Sequence, residues 1–161
     1  MRHLFAIIAL LCATAVGASA QSVRLGETLP TVNVTPDIDD AVAMYNRDYT
    51  CLIFVHSESQ PCVEALRNFK DTAKSIEKQC AIVFITSEQE SDKEAIVERL
   101  GIEDYNIAFD HNNRTFKAFG IQYAPFVVIY RTKNSRIEWF GPIHHLGGVV
   151  IDRLNQRQKY H

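Results

Sequence analysis

Ser59-Gln60-Pro61-Cys62 follows the apolar run Cys51-Leu52-Ile53-Phe54-Val55 after only His56, Ser57 and Glu58. Pro61 is tolerated in the first turn of a helix, so the motif reads as a strand running into a helix start. Free N–H groups and the helix dipole at such a start stabilise a thiolate, and the thiolate is the attacking species in sulfur chemistry. Disulfide exchange also needs a second thiol to resolve the mixed disulfide. The position three residues before Cys62 holds Ser59, whose hydroxyl ionises far above the thiol range and cannot form the bond. Cys62 is therefore the candidate for any thiol chemistry here, and Ser59 its candidate hydrogen-bond partner. Ordinary two-cysteine exchange is not expected.

The elements that would hold this motif can be read on both sides of it. Asp37 caps a helix over Ile38 to Tyr45, and Cys51 to Val55 is a continuous run suited to a strand buried on both faces. Val63, Leu66, Phe69, Ala73 and Ile76 give the helix after Pro61 one apolar stripe. Cys80 to Ile85 is a second buried strand. Ser91 or Asp92 caps a helix that ends at Leu100 before Gly101. Asn106 to Phe109 is a short strand, and Arg114 to Phe119 a brief helix closed by Gly120. Phe126 to Tyr130 and Arg136 to Phe140 form a hairpin, with a last helix carrying Leu146, Val149, Val150 and Leu154. A short β-type stretch is expected at Thr31 to Thr35. From Cys51 onward the order is β-α-β-α-β-α-β-β-α, which predicts an α/β fold with a mixed sheet covered by helices on both faces.

The first twenty residues are read as a signal peptide: Arg2 and His3, an apolar stretch from Leu4 to Val16, and Ala18-Ser19-Ala20 as a small-x-small cleavage site. The domain is then 21–161, one core's worth of chain. Export is expected, to a bacterial periplasm first and as a secreted protein second, with no membrane association after cleavage. Removing Arg2 leaves 16 basic against 19 acidic residues, a formal charge of −3. That balance excludes broad capture of nucleic acid, which needs clustered Lys and Arg. Loss of Cys12 leaves Cys51, Cys62 and Cys80, an odd count for an oxidising compartment.

Phe54 to Cys62, Tyr123-Ala124-Pro125-Phe126 and Trp139-Phe140-Gly141 together resemble the thioredoxin superfamily, most closely its exported TlpA/ResA-like thiol-disulfide oxidoreductase branch. The resemblance covers nearly all of 21–161, including the segment Glu90 to Asp110 between central strands. It implies a three-layer α/β/α sandwich with a mixed central sheet. It places Ser59 on the first cysteine of C-x-x-C, Cys62 on the second, Pro125 on a cis proline and Glu58 where Trp is usual. It also implies that Tyr123, Ala124 and Pro125 present a docking edge for an extended protein or peptide partner. By the same resemblance Cys51 and Cys80 begin neighbouring parallel strands, close enough for a structural disulfide; the alternative is that both are reduced core thiols.

Three functional classes stand open at this point. One is a binding module or an atypical single-thiol redox protein on a redox-family fold. The second is a one-cysteine peroxidase: peroxide-reducing relatives carry P-x-x-x-T/S-x-x-C, and Ser59 to Cys62 matches its last four positions, although position 55 is Val and Arg67 is merely a nearby cation. The third is a residual thiol-disulfide oxidoreductase. No cofactor and no metal are expected, since His144-His145 with His56 have no metal-ligand spacing. The acidic run from Glu88 to Glu94 reads as a solvated face, and the chain is expected to be a monomer.

Overall fold

The computed structural model describes residues 23–158; the expected signal segment 1–20, its cleavage site and Cys12 lie outside them. Eleven principal elements follow in order: α1 Ile38–Ala43, β1 Tyr49–Val55, α2 Gln60–Leu66, α3 Phe69–Ile76, β2 Cys80–Thr86, α4 Lys93–Leu100, β3 Asn106–Phe109, α5 Arg114–Phe119, β4 Phe126–Arg131, β5 Arg136–Pro142 and α6 Gly148–Gln158. Among the described residues, no helix is long and apolar enough to cross a membrane.

The strands form one sheet in the order β3-β2-β1-β4-β5. β1 is parallel to β2, β2 is parallel to β3, and both β4 to β1 and β5 to β4 are antiparallel. All seven residues of β1 and all seven of β2 are buried, because helices cover both faces of the sheet centre. Side chains alternate across a strand, and this divides the interior into two cores. Tyr49, Cys51, Ile53 and Val55 pack with residues of α2, α3, α4 and α6. Leu52 and Phe54 pack on the other face with Ile38, Val42 and Phe119, from α1 and α5. The fold is thus the α/β three-layer sandwich with a mixed sheet that the sequence predicts.

Three expectations need correction. The apolar stripe after Pro61 is shared by two helices: α2 ends at Leu66 and α3 starts at Phe69, with Arg67 capping the first and Asn68 preceding the second. The stripe crosses this break because both helices lie on the same core. Thr31 to Thr35 is not a strand; Thr35 alone makes an isolated bridge to Phe109. Finally, Cys51 lies two residues inside β1, opposite Ile82, whereas Cys80 is opposite Tyr49. A two-residue offset between adjacent strands puts their Cα atoms about 8 Å apart. A disulfide cannot span that distance without moving the backbone. All three described cysteines are unbonded and buried.

Local signals account for the ends that matter to the site. Asp37 caps α1, its carboxylate accepting from Asp39 N–H at 2.9 Å. Gly101 stops α4 in a left-handed conformation, φ 66°, that suits glycine. Asp110 is fully buried at the end of β3 and accepts from Thr115 N–H at 3.0 Å and Phe116 N–H at 2.8 Å. Asp110→Ala should therefore lower stability by about 1–2 kcal/mol, read as a drop in thermal midpoint. An unchanged midpoint would remove Asp110 as the anchor of α5.

Candidate functional site

The C-terminal end of β1 and the N-terminal end of β4 meet in register, Phe54 facing Phe126. The same end of β1 abuts β2, with Val55 facing Thr86. Residues just beyond these points are thereby gathered at one end of the sheet: 56–62 from β1, 87–88 from β2 and 123–125 ahead of β4. Crevices beyond the carboxyl ends of parallel strands are common ligand sites in open α/β sheets.

Ser59 is the N-cap of α2, in extended conformation, and Pro61 stands in the first turn. Its N–H donates to the His56 carbonyl at 3.0 Å, and its own carbonyl accepts from Cys62 N–H at 3.0 Å and Val63 N–H at 3.1 Å. The turn therefore brings Ser59 beside Cys62, close enough for its hydroxyl to favour the ionised thiol. Cys62 itself has no exposed surface. Burial is the largest influence on the thiol and pushes its pKa up. The Ser59 hydroxyl and the backbone at His56 pull against that rise, and the negative charge of Glu88 adds to it. The net direction is upward, so the thiol is held neutral. A helix start that would favour a thiolate is overruled by desolvation.

The acidic run reads as a solvated face, but its first residue, Glu88, lies at the site. Its side chain keeps only 13 % of its surface exposed. Oε2 accepts from Ser57 N–H at 2.8 Å and from the Thr86 hydroxyl at 2.7 Å, while Oε1 accepts from the Ser57 hydroxyl at 2.5 Å. Burial alone would push this carboxyl up. The donors from Ser57 and Thr86, together with nearby His56, outweigh it and hold the pKa below its ordinary value. His56 Nδ1 is 3.7 Å from Oε1 and also accepts from Glu58 N–H at 3.3 Å. Glu58 pairs with Arg99 of α4 at 3.0 Å.

The other expected site residues fall into place around this loop. Ala124 packs against the core that contains Val55 and Cys62. The Ala124–Pro125 peptide is cis, as is Thr35–Pro36. Tyr123 is 55 % exposed, its ring standing edge-on to Phe126 with 5.3 Å between centroids. Neither Tyr123 nor Ala124 enters a main-chain hydrogen bond among the described residues. Cys51 and Cys80 lie in the same core, away from the loop; burial raises both thiols, Cys80 to about 12. Arg67 is exposed at the far end of α2. His144 and His145 are exposed, their rings edge-on to each other with 4.2 Å between centroids. No group of three or more metal-ligating side chains occurs among the described residues.

Comparison with known proteins places this geometry in a fold. No family model matches the chain, and no curated protein sequence matches it. Solved structures do match. The thioredoxin domain of a thiol-disulfide oxidoreductase from Bacteroides vulgatus superposes with a TM-score of 0.60 at 13% identity, covering 86% of this chain and 98% of that one. A Chlorobium tepidum protein ascribed to the thiol:disulfide interchange proteins (DsbE) gives 0.59 at 16% identity, over 86% and 97%. The peroxidoxin BcpB from Mycobacterium tuberculosis gives 0.61 at 12% identity, over 83% and 98%. Identities this low establish the fold, which is thioredoxin-like.

Proposed function

We propose that this chain is an exported thioredoxin-fold binding protein of redox-family descent, which docks an extended polypeptide at the Tyr123-Ala124-Pro125 edge and carries out no disulfide exchange. The observation that carries the reading is the state of Cys62: fully buried, raised in pKa, and faced by a serine where a second thiol would be needed. A thiol in that state has neither the access nor the ionisation that attack requires. The docking half rests on unpaired main chain at Tyr123 and Ala124 beside an exposed aromatic ring. An extended strand could satisfy those main-chain groups while Tyr123 covers one of its side chains. Export is supported by the apolar N-terminal stretch and its Ala18-Ser19-Ala20 end.

The expected result is that unstructured peptides from a defined library bind the wild type. Tyr123→Ser should weaken that binding about tenfold or more, the loss of one well-packed aromatic contact. Cys62→Ala should leave it unchanged. Binding that vanishes with Cys62→Ala and survives Tyr123→Ser would sink the docking assignment.

A second reading has one observation in its favour. The Ser59 hydroxyl lies one helical turn from Cys62 and acts on its thiol, and a hydroxyl so placed could hold a peroxide beside a thiol as it is oxidised to a sulfenic acid. That chemistry requires Cys62 to become accessible, which separates it from the docking reading by experiment.

A further inference from the structure

The end of the sheet remote from Ser59 holds a cavity of about 660 Å³. Tyr49, the first residue of β1, faces Arg131, the last of β4, so this cavity lies a full strand away from the thiol. Three arginines line it: Arg131 and Arg136 from the hairpin and Arg153 from α6. Arg131 is committed. Its Nε and Nη2 both lie 3.3 Å from Oε1 of the buried Glu138, and its guanidinium stands 5.4 Å from the centroid of the Tyr49 ring. The guanidiniums of Arg136 and Arg153 have no partner among the described residues. Asn134 Oδ1 accepts from Arg136 N–H at 3.2 Å, which leaves the Asn134 amide N–H groups to donate. Among the described residues Glu138 is the one carboxylate in the lining, against three guanidiniums, an excess of two positive charges there.

We propose that this cavity binds a soluble phosphomonoester in its dianionic form. Two free guanidinium forks and an amide are a donor set that matches phosphate oxygens, and guanidinium–phosphate pairing is directional as well as charged. A dianion balances the excess charge. The volume exceeds what inorganic phosphate needs and falls in the usual range for small-molecule sites. Leu25, 57 % exposed in the lining, supplies apolar surface for the organic part of the ester. Glu138 and Tyr49 hold Arg131 in place, so its charge is fixed in the lining before any ligand arrives. None of this depends on Cys62 or on the docking edge.

The test is calorimetric titration at about pH 8, above the second ionisation of a phosphomonoester, with chloride fixing the ionic strength. Inorganic phosphate and phenyl phosphate are the probes. Both should bind, phenyl phosphate the more tightly. The paired change Arg136→Gln with Arg153→Gln should weaken both about tenfold or more, and leave the unliganded thermal midpoint where it was. No heat with either probe overturns the site. A paired variant that binds as the wild type does also overturns it, and so does phosphate binding as tightly as its phenyl ester.

Discussion

Ser59→Cys is expected to turn this protein into a disulfide reductase. Ser59 caps α2, and its carbonyl accepts from the N–H of Cys62, so residues 59 and 62 already share one turn. A thiol at the cap has the helix N–H groups near its sulfur and can ionise there, in contrast to the buried Cys62. Cys62 then has a partner it can close upon without needing to reach a substrate. Reduction of insulin by dithiothreitol should proceed at background rate with the wild type and on the order of tenfold faster or more with the variant. Oxidation of the variant should remove two hydrogens from its mass and protect Cys62 from labelling under denaturing conditions. Failure to form the bond would mean that the Cys62 sulfur does not face residue 59.

Glu88→Ala should be the most damaging single change at the site. It removes the acceptor for Ser57 N–H, the Ser57 hydroxyl and the Thr86 hydroxyl at once, and both donor residues are buried. A buried donor without its partner costs about 1–3 kcal/mol, and water entering the vacated space recovers part of the sum. A loss of about 2–3 kcal/mol is expected, measured by denaturant unfolding. The pH dependence has a definite sign. The folded Glu88 carboxyl is held below its ordinary pKa, so the unfolded chain binds the proton more readily. Its stabilisation is present above the ordinary carboxyl range and is lost as pH falls through the lower folded value. The stability gap between wild type and Glu88→Gln should therefore narrow from about pH 6 to about pH 3. A gap that widens on acidification would mean that the carboxylate is not the favoured form in the fold.

Much of this fold is legible in the residues because the central strands are apolar throughout. Cys51 to Val55 and Cys80 to Ile85 could be little else than strands covered on both sides, and Gly101 and Gly120 mark helix ends at which the chain does turn left-handed. The break between α2 and α3 was not legible, since the core-facing periodicity runs unbroken from Val63 to Ile76 while the helical backbone does not. Thr31 to Thr35 has the composition of a strand but finds only a single bridge at the sheet edge.

The site was legible in part for a similar reason. Ser59, Cys62 and the Tyr123-Ala124-Pro125 segment stand out by residue type. Glu88 does not: it sits in an acidic run that looks solvated, 26 residues from Cys62 by number. It reaches the site only because β1 and β2 are parallel and in register at Val55 and Thr86. The signal that could have found it is Thr86-Ser87-Glu88 following a buried strand directly, at the sheet end where the motif already lay. Strand register likewise decides Cys51 and Cys80, which share a core face yet are offset by two residues.

The most direct measurement is the mass of the folded, reduced protein after exposure to an alkylating reagent, and separately to stoichiometric hydrogen peroxide, with the modified peptides identified. If Cys62 is a shielded, neutral thiol, it stays unalkylated and unoxidised in the native state and becomes fully alkylated in denaturant. Native alkylation at Cys62, or one oxygen added there by stoichiometric peroxide, would contradict that account and make this a single-thiol redox enzyme.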